Sequence, residues 1–570
     1  METPSIYTER VDDIPVLYHQ ITVMQLIDLI DEHFRAHGNW QGLSPGTVVA
    51  VWLTHILSEA NHKLNHVQPW VEQRLEILRR LVDPNLQPWD FTDDRLALLL
   101  RAFSDDLLWA DFERSLNQRL IRVYDLSSRR VRLDATTASS YRDVSGEGLF
   151  QRGHSKDHRP DLGQLKIMMA TLDPLGMPLV TQIVPGNRAD DPLYLPAIEA
   201  VNRSLMRTGL LYIGDCKMAA LETRATLFLQ GNSYLCPLSA TQWPIEQQIA
   251  DLTPVWNGDV ALTEIQRTND RGEVETVAEG FEEERTVTAK VGERTVTYVE
   301  RHLRIRSLTQ AHVEAAGLRK RVATAMAKLA ALNERKHGKR RFESAEAVRG
   351  AAEAILTHHR VGDVVTLEIH EARQERPVRT YGDRPERVDV TVDWTVEATI
   401  DEAVLAEAIR RKGWRTYVTI EPGATFGLDD AVWAYREEYQ IERGFGRLKG
   451  KPLSLMPMYL MRDDHATGLV RLLTIGLRVL TLLEFVVRRA LAETKDSLVG
   501  LYKGQPTRKT PRPTAEALLR AFEGITLTVV THAEGVIRHL TPQSPLQRRI
   551  LELLGVAPDF FGSAILSNSP

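Results

Sequence analysis

Apolar side chains recur at helical spacing through the first 127 residues. The segments VMQLIDLIDEHFRAH (23–37), GTVVAVWLTHILSEANHKLNHV (46–67) and DDRLALLLRAFSDDLLWADFERSLNQRLIRVYDL (93–126) place them at i, i+3 or i+4, and i+7. This predicts a helical domain over 1–127. The runs then shorten: RRVRLDATTAS (129–139), QLKIMMATLD (164–173) and MPLVTQIVPG (177–186) read as strands, with Asp173 to Gly176 turning between the last two. A helix (192–207), the buried strand LLYIGD ending at Asp215, a helix (218–230) and the strand SYLCPL follow. A meander followed by helix, strand, helix and strand is an α/β core, and 128–243 is read as its first half.

From 244 to 400 the period changes to two. ERTVTAKVGERTVTYVERHLRIRSL (284–308) and RVDVTVDWTVEATI (387–400) alternate polar and apolar positions, and a basic helix AAGLRKRVATAMAKLAALNERKHGKRR (315–341) lies between them. This predicts a β-rich insertion with a helical arm. The core resumes over 401–492: a helix (401–413), the strand WRTYVTI, a helix capped at Asp429/Asp430 that runs through YREEYQIERGFGRLKG (435–450), and the apolar stretch 468–491. A C-terminal region, 493–570, combines a loop rich in proline and basic residues with further helix.

Composition narrows the class. A chain of 570 residues with 43% hydrophobic and 26% charged content is a multidomain globular protein, and is neither disordered nor fibrous. Two cysteines, Cys216 and Cys236, make no disulfide framework, and METPSIYTERVDDIP lacks the apolar run of a signal peptide, so a cytoplasmic protein is expected. Arg471, Arg478, Arg488 and Arg489 interrupt the most apolar stretch, which is therefore read as a buried helix with no membrane span. A net charge of −5 excludes a uniformly basic surface but permits local basic faces. Residues 319–341 hold nine Lys/Arg (Arg319, Lys320, Arg321, Lys328, Arg335, Lys336, Lys339, Arg340 and Arg341) against the single acid Glu334, a phosphate-binding run or a solvated helix face.

Three acids stand out. Asp134 interrupts an apolar strand, where a carboxylate is either a paired structural group or a placed ligand. Asp215 ends a strand, a position open to a ligand site or a helix cap. Tyr435, Glu442 and Lys449, seven residues apart, share one face of a continuous helix, and Glu438 shares it too; i,i+4 ion pairing on a solvated face is the alternative. Glu437 points elsewhere and is expected to be solvated. An oxygen-only trio without a His or Cys cluster suits Mg²⁺ or Mn²⁺ rather than zinc. The loop GHSKDHRPD (153–161) adds His154, Lys156, His158 and Arg159, a polar turn or a set of phosphate contacts. Trp243 and Trp256 open the insertion, as core residues or as platforms for a base.

The ordered segments LDATT, GHSKDHRPDLGQ, PLVTQIVPGNRADD, LYIGDCKMA and YREEYQIERGFGRLK resemble the bacterial insertion-sequence DDE transposases with a Tyr-Arg-Glu-Lys signature. PMYLMRDDHATGLVRLLTIGL is similar to the helix that follows the signature in the branch with a long β-rich insertion. The resemblance covers roughly 130–240 and 400–490 and implies an α/β fold with a ribonuclease-H-like mixed-sheet core. It implies that Asp134, Asp215 and Glu442 are the catalytic, metal-binding triad for two Mg²⁺ or Mn²⁺ ions. Spacings of 81 and 227 residues between the three leave room for the insertion before the last acid. By the same resemblance Tyr435 and Lys449 are the signature tyrosine and lysine, while Glu438 stands where relatives carry arginine.

The implied activity is cleavage at transposon ends and strand transfer into target DNA, by a homodimer that pairs two ends. DNA-contacting candidates are Tyr435, Arg443, Arg447, Lys449, His154, Lys156, His158, Arg159, Arg319, Lys320, Arg321, Lys336 and Arg340, and the N-terminal domain is expected to bind the ends. Arg443 and Arg447 are the residues expected to take over the missing arginine's role. Two alternatives remain open: a DNA-binding relative weakened by Glu438, and a metal-dependent nuclease without strand transfer.

Overall fold

A computed structural model describes residues 5–36, 38–144, 146–268, 272–334, 342–379, 386–532 and 535–566. The fold is mixed α/β and divides into two compact units. The first comprises Met1–Cys236, Thr288–Tyr298 and Trp433–Pro570, and the second Pro237–Val287 and Val299–Val432.

At the centre of the first unit is a mixed sheet in the order Met177–Pro185, Gly163–Leu172, Arg130–Ser140, Leu211–Ile213, Ser233–Pro237. The first three strands form an antiparallel meander, and the last two run parallel to Arg130–Ser140. Gly163–Leu172 is buried along its whole length, because helices cover both faces of the sheet, which explains its unbroken apolar run. Tyr194–Leu205 and Leu221–Leu229 are the connecting helices.

The long helix Asp463–Thr494 packs against the meander and against the helix Asp93–Phe103. Of its arginines, Arg471 and Arg478 are core residues, Arg488 is half-buried and Arg489 is exposed. Arg478 is fully buried, donating to Glu113 Oε1 at 2.8 Å and to the Pro178 carbonyl at 2.9 Å, and Arg471 donates to the Phe103 carbonyl at 2.8 Å. Among the described residues no helix is long and apolar enough to cross a membrane.

Two expectations for the chain ends need correction. Residues 1–127 are not helical throughout: Ser5–Arg10 is a strand, paired antiparallel with Thr526–His532 from Ser5↔Thr531 to Arg10↔Thr526. Nor is the C-terminal region helical only, since Thr526–His532 also pairs with Gly535–Leu540. Each strand is short, and its partner lies either across the whole chain or in a segment read as helix.

The second unit holds the strands Thr263–Thr268, Val274–Val291, Arg294–Ser307 and Trp414–Thr419, with the tip Thr288–Tyr298 counted in the first. Trp414–Thr419 pairs antiparallel with Arg294–Ser307 from Trp414↔Arg306 to Thr419↔Arg301, and it and the helix Glu402–Arg410 fall within this unit. A helix at Ile245–Trp256 was not anticipated; its buried Leu252 packs with Trp243 and Trp414. Trp243 donates to Asp251 Oδ2 at 2.9 Å and is core, while Arg410 covers the Trp256 ring at 5.0 Å, so neither ring is a free platform. The basic helix, Leu308–Asn333, buries Leu318, Val322, Ala325 and Leu329 against the helix Ala345–His359 and the hairpin Val365–Val378/Arg387–Ile400. Arg319, Lys320, Arg321 and Lys328 lie on its exposed side, whereas Lys336 and Arg340 fall outside the described residues.

Candidate functional site: a carboxylate cluster

The site starts from strand register. Arg130–Ser140 and Leu211–Ile213 are parallel neighbours, with Arg132 opposite Ile213. Asp134 and Asp215 each lie two residues further on, so both strands deliver an acid at the same level beyond the paired segment. Asp134 shares a face with Arg132 and Thr136, because side chains alternate along a strand.

That face meets the helix Tyr439–Lys449. Buried Ile441, Phe445 and Leu448 dock the helix, each contributing about 1.5–3 kcal/mol if transferred fully from water. Two cations fix its direction along the strand. Arg132 donates to the carbonyls of Ala434 and Tyr435 (3.4 Å to the latter), and Lys449 Nζ donates to Thr136 Oγ1 at 3.0 Å. Positions 435 to 449 therefore run alongside 132 to 136, with Glu442 between the two anchors on the helix and Asp134 between them on the strand. Glu442 is exposed, whereas Asp134 and Asp215 are half-buried.

The helix is not continuous, which corrects the reading of 435–450 as one element. Leu428–Arg436 ends, Glu437 and Glu438 form a turn, and a new helix starts at Tyr439. The backbone donors of Glu438, Gln440 and Ile441 bond three residues back, to Tyr435, Glu437 and Glu438, at 3.0, 3.0 and 3.2 Å. This tighter winding breaks the simple seven-residue alignment.

Glu438 joins the acids. Burial chiefly raises its carboxyl above the ordinary range, and the charges of Asp134 and Glu442 add to this. Asp134 is likewise raised by burial, with Asp215 adding, while the Lys156 ammonium opposes the shift. Glu438 thus lies within the field of Asp134, Asp215 and Glu442, a fourth carboxylate beside the three that the sequence assigns. Glu437 is not solvated as expected: its Oε2 is buried without a hydrogen-bond partner, and burial and Asp173 raise its carboxyl.

Neighbouring groups hold the acids. The buried Tyr194 hydroxyl donates to Asp215 Oδ1 at 2.7 Å, joined by the Lys217 amide at 2.8 Å. Tyr194 was missed because its helix reads only as a sheet-packing element. Lys156 Nζ reaches Asp134 Oδ1 at 3.1 Å and also donates to the Ala135 carbonyl. Lys449 pairs with Asp157 at 2.6 Å. The loop around 154–159 is therefore tied both to the Asp134 strand and to the helix. His154 and His158 are exposed in it, and Arg159 pairs with Asp161 at 2.9 and 2.8 Å.

Arg443 and Arg447 are placed differently from the expectation that they serve beside Glu442. Arg443 makes a bidentate pair with Glu484, 2.6 Å on each arm, and buried Arg447 joins Glu484 and Glu516, both at 2.6 Å. These contacts join this helix to Asp463–Thr494 and Ala515–Arg520. Tyr435 is buried; Arg436 is exposed and lies over the Trp433 ring at 5.4 Å.

Among the described residues the trio whose possible ligand atoms all lie within 4.8 Å of one another is Glu368, His370 and Glu397, exposed on the Val365–Val378/Arg387–Ile400 hairpin and distinct from the carboxylate cluster. The cluster's own donor set is all oxygen and partly buried, which fits a hard divalent cation such as Mg²⁺ or Mn²⁺.

No family model and no curated protein matches the chain. Among solved structures, the chain is similar to piggyBac transposase in a synaptic complex with hairpin DNA, at a TM-score of 0.23 and 9% identity. The match covers 52% of this chain and 63% of that one, less than two thirds of its length, and is too slight to carry an argument.

Proposed function

We propose that the protein is a DNA transposase of the DDE type with a ribonuclease-H-like core, in which Asp134, Asp215 and Glu442 hold the divalent metal. The observation that carries this reading is the convergence of two acids from adjacent parallel strands with a third on a helix laid along one of them. When bound, Mg²⁺ or Mn²⁺, as two ions, supplies activation of the attacking oxygen and stabilisation of the leaving one. The chain's own residues do the rest. Tyr194 orients Asp215, Lys156 and Lys449 place positive charge beside the acids, and Arg319, Lys320 and Arg321 offer an exposed phosphate-binding row. Water adds to a phosphodiester at the element end, releasing a 3′-hydroxyl and leaving a 5′-phosphate; that hydroxyl then attacks a target phosphodiester, displacing its 3′-oxygen. A homodimer pairing two ends belongs to the same proposal.

Glu438 favours a second reading, a DNA-binding relative with impaired catalysis, because a carboxylate in place of arginine repels both phosphate and Glu442. One experiment separates the readings: labelled element-end DNA incubated with the protein, target plasmid and Mg²⁺. Joined products are expected. Cleavage alone indicates a nuclease, binding alone the impaired relative, and joining that survives Asp134→Asn refutes the site.

A further inference from the structure

A cavity of about 720 Å³ opens in the first unit on the side of the helix Tyr439–Lys449 that carries Gln440, Arg443, Gly444 and Arg447, and its lining does not include Glu442. It is therefore separate from the carboxylate cluster and does not depend on the transposase reading. Its size is that of a small-molecule site.

The lining has three chemical parts. Leu172, Leu175, Leu477 and Phe485 give it apolar walls. A basic side is formed by Arg443, Arg488, Arg489 and Arg512. Three of these are fixed before any ligand arrives: Arg443 on Glu484, Arg488 between Glu484 at 2.8 Å and the Pro513 carbonyl at 2.9 Å, and Arg489 on the Tyr124 carbonyl at 2.8 Å. Each guanidinium carries five N–H groups, more than these contacts use. Five arginines and four acids (Asp125, Asp173, Glu437 and Glu484) line the cavity. Burial lowers Arg488 below the usual arginine range, and Arg443, Arg447 and Arg512 push the same way against the pull of Glu484. The third part is Glu437, a half-buried acid facing the buried Asp173, whose Oδ2 has no hydrogen-bond partner. An anion suits the basic side, an N–H donor suits Glu437, and a flat apolar body suits the walls between.

We propose that this cavity binds a purine nucleoside monophosphate, with the phosphate against Arg488, Arg489 and Arg512 and the N–H edge of the base against Glu437. Isothermal titration of the full-length protein with GMP tests it. Saturable binding of one GMP per chain is expected, with guanosine and inorganic phosphate each weaker by about tenfold or more, since each lacks one half of the recognition. Glu437→Gln, nearly isosteric, and Arg512→Ala, at an exposed position, are each expected to weaken GMP about fivefold or more without changing the circular dichroism spectrum. Absence of saturable GMP binding, phosphate binding as tight as GMP, or affinity unchanged in both variants overturns the proposal.

Discussion

Asp134 shows how one half-buried acid links chemistry to stability. Its carboxyl is raised above its ordinary 3.8 mainly by burial, so the folded state holds the proton more tightly than the unfolded chain does. Stability from this group is present at low pH and lost as pH rises through the folded value. Measured with a chelator present, the melting temperature of Asp134→Asn relative to the parent is expected to increase from pH 4 to pH 7.5, while metal-dependent cleavage falls by about three orders of magnitude or more. A gap that narrows with rising pH contradicts the burial argument. Glu484 has the opposite sign. Arg443, Arg447 and Arg488 hold it at about 2 despite burial, so its contribution is complete above its ordinary 4.5 and disappears as pH falls towards 2. Glu484→Gln leaves three partly buried guanidiniums short of a counter-charge and is expected to cost about 3–5 kcal/mol at pH 7 by urea titration, with the difference vanishing near pH 2.

At the scale of elements, two helices position the cluster and their glycines differ in role. A Cβ on Gly468 in the long helix falls 2.0 Å from the Leu100 carbonyl oxygen, a backbone contact that cannot yield without moving a helix. Gly468→Ala is expected to lower stability by about 1–3 kcal/mol or more. A Cβ on Gly444 meets Met169 Cε at 3.6 Å and Leu477 Cδ2 at 3.7 Å, ordinary contacts, and the residue is in a helix interior. Gly444→Ala is expected to stabilise by about 0.5–1 kcal/mol, through the helix preference of alanine. Both are checked by chemical unfolding, and reversed signs would place the helix wrongly against the sheet.

Across the whole chain, the first and last hundred residues meet in one small sheet, and Glu9 accepts from the amides of Glu76 and Ile77 at 3.0 and 2.9 Å, capping the helix Leu75–Leu81. Removing residues 1–10 takes away that cap and bares the Thr526–His532 edge. A lower melting temperature and greater light scattering on heating are expected, since an unpaired edge templates association. An unchanged melting temperature would show that the pairing contributes nothing.

Periodicity alone delivered the meander, the parallel strands after it, the long arginine-bearing helix and the basic helix, because each element carries its own repeat of apolar positions. It also singled out Asp134 and Asp215 as acids in apolar strands. Contacts between distant segments were not legible: the Ser5–Arg10 strand takes its identity from a partner more than 500 residues away. Nor was the break at Glu437 and Glu438, beside which Arg132 takes the Ala434 and Tyr435 carbonyls. The sequence by itself determined which residue types are available for chemistry and which elements carry them. Only the tertiary structure decided that Glu438 joins the acid cluster while Arg443 and Arg447 pair with Glu484, because burial and charge pairing depend on what packs opposite.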